Sequence, residues 1–407
     1  MRVALVCLNY PPEPTGIAVY SGGLANGLAE RGMDVQVVTG LPHYPQWRVD
    51  PGHGAGTEQD GERLTVTRVR HSVPGDPQLL NRLWMEVTFG CRAVLARWRR
   101  PDVVVLISPA LFASLFAAAR ARLRGQPVLV WVQDIYSLGV SETGRGGGLA
   151  ARVLRLAEQL LLRRAAEVVV IHERFKTYLV RELGIDEARI SVVRNWSHVE
   201  SGGETDRAAV RARLGWAEDA TVVLHAGNMG AKQGLENVVE ASQRAAEQDA
   251  PLLFVLMGDG NQRAALERGG GNRCLQFVAP LPREEFLDAL RAADVLLVNE
   301  RAGLTEMAVP SKLTSYFATG LPVVAATDES SVTSQEVALA GAGLRVDADQ
   351  PEQLVSAALR LRAAPELARE LGDRGVAFRE ANLTENASLT GLSAVLDRIV
   401  QRTRGSS

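Results

Sequence analysis

Cysteine is scarce in this chain: Cys7, Cys91 and Cys274 are the only three in 407 residues, and no two have metal-type spacing. This excludes a disulfide-stapled scaffold and a zinc-ribbon site, and predicts reduced thiols in a cytoplasmic protein. Long apolar runs are lacking as well. The nearest, "VVVLISPALFASLFAAARA", is split by Pro109 and fits a strand followed by a helix, so no membrane-spanning helix is expected. The opening "MRVALVCLNYPPEP" passes from apolar residues into prolines without a signal-peptide cleavage pattern. A charge excess is missing too: the formal net charge of -2 gives no general pull toward nucleic acid, and none is expected as a partner. No Ser-His-Asp motif, G-x-S-x-G or H-E-x-x-H occurs, and no run of carboxylates suggests a metal site. Lysine is the rarest charged residue. Only Lys176, Lys232 and Lys312 occur, and the other 42 of 45 basic residues (45 minus 3) are arginine. Base composition of a genome explains an arginine bias, but not the positions at which lysine is kept.

What is present is a regular alternation. Hydrophobic content of 46% and charged content of 23% are ordinary for a globular protein, and the length suggests two domains of roughly 200 residues. Short apolar runs such as "RVALVCL" (2–8), "DVQVVTG" (34–40), "DVVVLIS" (102–108) and "PVLVWVQD" (127–134) alternate with helix-length amphipathic stretches. The polar stretch 200–210 fits a linker, after which the alternation restarts with "ATVVLHAG" (220–227), "PLLFVLMGDG" (251–260), "CLQFVAP" (274–280) and "ADVLLVNE" (293–300). The fold class is therefore α/β, with two Rossmann-like domains at about 1–202 and 205–384. Ligands of such domains bind at the carboxyl ends of the strands, which places a site in the cleft between them.

The strand-end loops hold the candidates. "LHAGNMGAKQG" sets Gly227, Asn228 and Gly230 after a strand, with Lys232 beyond and a helix expected from about Leu235. Glycines let backbone approach a ligand, a helix start offers free N–H groups and lysine adds charge, which together suit an anion; a plain turn with a solvated lysine is the alternative. "VPSKLTSYFATG" repeats the theme, with Ser311 opening a helix and Lys312 in its first turn, where a cation opposes the helix dipole unless an anion neutralises it. Two such loops in one domain suit a diphosphate. "GDG" at 258–260 is a third strand-end turn, read either as a tight turn or as part of the site, and "FVAPLP" offers extended backbone to a base edge. In the first half, Gly16 lies near a helix start in a long Pro/Gly loop that also carries Glu13. His43, Tyr44 and Trp47 follow the second strand and suit stacking on a sugar, or a buried staple. Gln133 and Asp134 end the fifth strand, where a polar group could face the cleft or cap a helix. The basic, apolar stretch 81–100 is compatible with contact to an anionic membrane surface, and also with an ordinary surface helix.

Taken in order, "NYPPEPTGIAVYSGGLANGLAERG", "GNMGAKQGLE", "GDGNQR", "FVAPLPREE" and "PSKLTSYFATGLPVVA" resemble the GT-B retaining glycosyltransferases of family 4, the bacterial exopolysaccharide branch in particular. The resemblance covers nearly the whole chain. It implies metal-independent transfer of a sugar from a nucleotide-diphosphate sugar, a co-substrate rather than a cofactor, to an acceptor hydroxyl. The acceptor would be a lipid-linked saccharide or a small molecule, and the protein cytoplasmic or peripheral at the inner membrane face. It places Gly227, Asn228 and Lys232 in the diphosphate loop, Phe277, Val278, Ala279 and Leu281 beside the base, and Gly258 near them. Ser311 and Lys312 would lie near the donor phosphates, with Gly16 facing the donor. Acceptor contacts fall to Glu13, His43, Tyr44, Trp47 and Gln133, and a helix at about 385–402 would cross back onto the first domain. The chain departs from the family pattern at three places. The usual glutamate pair, counted back from Gly320, falls on Met307 and Ser315, which leaves Glu306 as the nearest acidic substitute and Ser315 at the ribose position. The family's frequent histidine is Gln133 and the usual loop arginine is Asn228. Lys232 and Lys312 are then the catalytic charges, with Asp134 and Glu306 as the only suggestive acids. A nucleotide-sugar epimerase or hydrolase, or a binding protein without catalysis, is the alternative on this scaffold.

Overall fold

The computed structural model describes residues 1–14, 16–76, 78–137, 149–196, 205–269, 271–303 and 311–405. The chain divides into two compact units: Met1–Asn195 with Glu385–Ser407, and Trp196–Thr384. The expected break at 202–205 falls largely on residues outside the described set.

The first unit holds an eight-stranded sheet: β1 (Arg2–Cys7), β2 (Asp34–Gly40), β3 (Gly56–Gln59), β4 (Leu64–Val69), β5 (Val103–Ile107), β6 (Val128–Val132), β7 (Glu167–Val170) and β8 (Ile190–Val192). Their order is β3-β4-β2-β1-β5-β6-β7-β8. Runs such as "VVVLI" in β5 are buried at every position, as strands covered by helices on both faces must be. The exception is β3, an exposed antiparallel edge strand that pairs Gly56 with Arg68. Its polar sequence "GTEQ" carries no alternation, and no strand is expected there.

The second unit is a six-stranded parallel sheet: β9 (Thr221–Ala226), β10 (Leu252–Met257), β11 (Leu275–Val278), β12 (Val295–Asn299), β13 (Val323–Ala326) and β14 (Gly343–Val346). Their order, β11-β10-β9-β12-β13-β14, reverses direction between β9 and β12. Helices on both faces bury the sheet's apolar side chains in two clusters, one around Phe254 and Leu297, the other around Tyr316 and Phe317. Part of the expected linker is helical: Asp206 caps the helix Arg207–Leu214 by accepting from Ala209 N at 3.0 Å.

The last helix, Glu385–Gly405, packs within the first unit. Gly27 makes its approach to the helix Ile17–Glu30 feasible, since a Cβ there would stand 2.2 Å from Leu389 Cδ1. Ser388 Oγ donates to Arg194 O at 2.7 Å, and Arg402 pairs with the buried Glu167 at 2.5 Å.

Candidate active site

In an open parallel sheet the strand order reverses where crossover helices diverge to opposite faces, and the gap at the carboxyl ends there receives ligands. In the second unit that point lies between β9 and β12. Two loops and a short helix converge on it, each locked by contacts distant in sequence.

After β9, Gly227 N donates to Met257 O at 2.8 Å and Met229 N to Asp259 O at 2.8 Å, so the loop is stitched to the turn after β10. Gly227 has φ of +133° and Gly258 of +139°. A Cβ on Gly258 would lie 1.9 Å from Gly227 O. The turn Gly258–Gly260 is therefore a packing requirement of the first loop. Arg263 is likewise committed to structure, donating to Gly258 O at 2.5 Å and to Glu267 at 2.8 Å.

Asn299, wholly buried at the end of β12, donates through Nδ2 to Gln233 O (2.8 Å) and Gly234 O (2.9 Å), and accepts from Asn237 Nδ2 at 2.8 Å. This staple holds the loop carrying Lys232. Lys232 itself lies in a single turn, Ala231–Gln233, and is exposed; its carbonyl accepts from Arg301 N at 3.0 Å. Asn228 is exposed beside it.

The third element is the helix Ser311–Tyr316. The buried Tyr316 hydroxyl accepts from Ala226 N at 2.9 Å, tying this helix to the end of β9. The tie sets Lys312 against the first loop. Its Nζ is 3.4 Å from His225 Nε2 and 3.8 Å from where a Cβ on Gly227 would stand. Burial pushes the ammonium down to about 8, opposed by the carboxylate of Glu300. His225, fully buried, is held well below its ordinary value by burial and by the Lys312 charge, so it stays neutral. Glu300 in turn accepts from Thr327 Oγ1 at 2.5 Å and from Thr333 Oγ1. The result is a partly buried cation at a glycine floor, with its carboxylate neighbour engaged elsewhere.

The other expected donor contacts distribute as follows. Phe277 and Val278 are in β11, which pairs only with β10 among the described strands; Val278 O accepts from Gly258 N at 3.0 Å. Their side chains and that of Leu281 pack against the core, leaving backbone and Ala279, which is exposed, to meet a ligand. Ser315 is half-buried in the same short helix as Lys312, and Ser311 is that helix's first residue. Glu306 lies outside the described residues.

The first unit has its own cavity, of about 310 Å3, at the carboxyl ends of β1 and β5, again where the strand order reverses. Gly16, His43, Tyr44 and Trp47 line it together, and so do Asn9, Arg82, Glu86 and Ser108. Glu13 is not on this wall. It is buried beneath, where Oε1 accepts from His43 N (2.8 Å) and Tyr44 N (3.0 Å) and Oε2 from Asn9 Nδ2 (2.8 Å). It thus sets the loop that presents the aromatics. His43 Nδ1 faces Leu41 O at 3.0 Å and Glu13 Oε1 at 3.3 Å; both are acceptors, so Nδ1 carries the hydrogen. Tyr44 and Trp47 meet edge to face at 5.9 Å, and Arg82 lies over Trp47 at 5.9 Å. Gln133 is buried in a reciprocal amide pair with Asn195, at 3.1 and 2.6 Å, and Asp134 is exposed.

Arg82 and Glu86 escaped sequence reasoning, although their spacing of four places them on one helix face. Glu86 accepts from Phe112 N at 3.1 Å, and burial pushes its carboxyl up to about 7. The folded state then binds the proton more tightly than the unfolded chain between pH 4.5 and 7, so this group's contribution to stability falls as pH rises through that window. Denaturant titrations should show a flatter pH dependence for Glu86→Gln than for the wild type across this range. Parallel curves would assign the proton to another group.

Comparison with known proteins bears on what these two sites serve. Residues 15–196 match the family described as glycosyl transferase 4-like domain, and residues 220–363 match glycosyl transferases group 1. A protein of Escherichia coli K12 named as the colanic acid biosynthesis glycosyl transferase WcaI is 31% identical over 395 residues, covering 92% of this chain and 96% of that one. Among solved structures, sucrose-phosphate synthase from Thermosynechococcus elongatus superposes with a TM-score of 0.69 at 17% identity, over 98% of this chain and 99% of that chain. HepE of Anabaena, solved with UDP, gives 0.68 at 14% identity, over 98% and 100%. The chain belongs to the family-4 glycosyltransferases of the GT-B fold.

Proposed function

We propose that the protein moves a sugar from a nucleotide-diphosphate sugar to an acceptor hydroxyl, with retention of anomeric configuration and without a metal ion. The observation that carries this reading is the Lys312 ammonium, held over the glycine floor of the loop after β9 at the point where the strand order reverses. In the transition state the bond between the anomeric carbon and the diphosphate breaks and negative charge gathers on the departing phosphate. A preorganised cation there stabilises that charge without reorganisation. Lys232, on the neighbouring turn, adds a second charge. The acceptor oxygen bonds to the same face of the sugar, and its proton leaves on the departing phosphate. Backbone of Phe277 to Leu281 would meet the base. HepE, solved with UDP, supports a nucleotide diphosphate as the ligand class.

The cavity of the first unit is assigned to the acceptor, with Tyr44 and Trp47 offering apolar faces to a sugar ring and Glu86 accepting from its hydroxyls. A lipid-linked saccharide or a small polyhydroxylated molecule fits this lining. Among the described residues no helix is long and apolar enough to cross a membrane. Exposed Leu80, Trp84, Val153 and Leu156 support a peripheral contact for the lipid-linked case.

Thermal-shift titration with uridine, guanosine and adenosine diphosphates tests the donor assignment. One of them at a hundredfold excess over its Kd stabilises by about 2.7 kcal/mol, a rise of roughly 5–10 °C for a unit of this size. No shift with any nucleoside diphosphate would contradict the reading.

A further inference from the structure

The end of the first sheet opposite the acceptor cavity, where its central strands start, carries a second depression, of about 490 Å3, which the activity above does not use. It is formed where β1, β5 and β6 begin, together with the last turns of the C-terminal helix. Four of its lining residues are arginines: Arg2, Arg100, Arg124 and Arg404. Among the described residues one carboxylate, Asp102, lines it with them, and that group is already matched by Arg2, whose backbone N donates to it at 2.7 Å and whose guanidinium lies at 3.4 Å. Among the described residues Arg100, Arg124 and Arg404 have no carboxylate partner, and all three are exposed. Three like charges converging on one concavity repel one another unless something of opposite sign arrives. Arg100 is also held in a left-handed conformation, φ +49°, immediately before Pro101, a conformation costly for a residue with a side chain. Sequence neighbours reinforce the setting. Leu123, 88% exposed, precedes Arg124, and Leu95, 78% exposed, ends the helix that leads to Arg100.

We propose that this depression binds a phosphate group, carried either by an anionic lipid headgroup or by a soluble phosphorylated molecule. Three guanidinium forks around one hollow suit phosphate, which accepts paired N–H bonds from arginine. The site is separate from the donor site, which lies in the other unit. It does not depend on that reading, because none of its residues belongs to the proposed donor or acceptor machinery.

The test uses the full chain and a variant carrying Arg100→Ser, Arg124→Ser and Arg404→Ser, with Arg268→Ser, Arg360→Ser and Arg369→Ser together as a charge-matched control from the second unit. Two probes are applied at low ionic strength: co-sedimentation with phosphatidylglycerol against phosphatidylcholine vesicles, and calorimetry with inorganic pyrophosphate in a Lys312→Ala background. The wild type and the control should bind at least one probe. The triple variant should bind that probe about 100-fold more weakly, at roughly five-fold per arginine, and added salt should erase the difference. Binding to phosphatidylglycerol alone identifies a headgroup, and binding of pyrophosphate as well identifies a soluble ligand. Equal binding by triple variant and wild type overturns the proposal, as does absence of binding by either probe to the wild type. The thermal shift with nucleoside diphosphates should persist in the triple variant, so failure of the donor reading would be seen separately.

Discussion

Replacing Lys312 by alanine is expected to lower turnover by about 100- to 1000-fold, the usual effect of removing a preorganised group that meets developing charge. The substitution should not unfold the protein. The folded chain depresses this ammonium from its ordinary 10.5 to about 8, so folding is opposed by its charge rather than assisted by it. Between pH 8 and 10.5 the unfolded chain binds the extra proton, and stability contributed at this site rises with pH in that window. Lys312→Met, which keeps the aliphatic stem, should therefore match or exceed wild-type stability at pH 7. Donor affinity runs the other way. Below pH 8 the amine is charged and affinity is steady, whereas above it the unliganded amine is neutral and binding must include proton uptake. Calorimetry of nucleoside diphosphate binding in buffers of different ionisation enthalpy would detect that uptake. An affinity flat from pH 7 to above pH 9 would show that Lys312 does not touch the ligand.

Gly258→Ala is expected to damage the second unit by at least about 3 kcal/mol, because it adds strain at positive φ to a collision with backbone. The collision is with Gly227 O, 1.9 Å from the new methyl, and neither partner is a flexible side chain that could swing away. Relief would require the loop after β9 to separate from the turn after β10, breaking the Gly227–Met257 and Met229–Asp259 bonds. Nucleotide binding should weaken along with folding, since the same loop forms the floor under Lys312. A fall of roughly 6–12 °C in Tm is anticipated for a unit of this size. Gly271→Ala is the fitting control, as among the described residues nothing lies within 4 Å of its added methyl. Similar Tm values for the two variants would show that the turn does not support the loop.

Much of this is legible in the amino-acid sequence. Apolar strand runs alternating with amphipathic stretches reveal the parallel strands of both sheets, because a strand buried on two faces leaves an unambiguous pattern. Rarity made Lys312 stand out, and its place in a first helical turn singled it out further. The remainder depends on contacts that spacing does not encode. Asn299 reaches residues more than sixty positions earlier, and Tyr316 reaches β9 across ninety. Glu13 was read as an acceptor contact from its loop, whereas the structure sets it behind that loop as the staple that orients His43 and Tyr44. Glu86 is one acid among many on an amphipathic helix, and its burial beside Phe112 N and Tyr136 comes from tertiary contacts that spacing does not encode. Strand β3 was missed because its exposed polar sequence has no apolar period, and its pairing with β4 alone defines it.

The central claim is that Lys312 and the glycine loop after β9 hold the donor diphosphate. A crystal structure with the nucleoside diphosphate ranked first by thermal shift tests it most directly. The account predicts a phosphate oxygen within about 3 Å of Lys312 Nζ, beside the Gly227 backbone, in the range of charge-assisted hydrogen bonds. A diphosphate bound elsewhere, with the Lys312 ammonium still resting on His225, would contradict it.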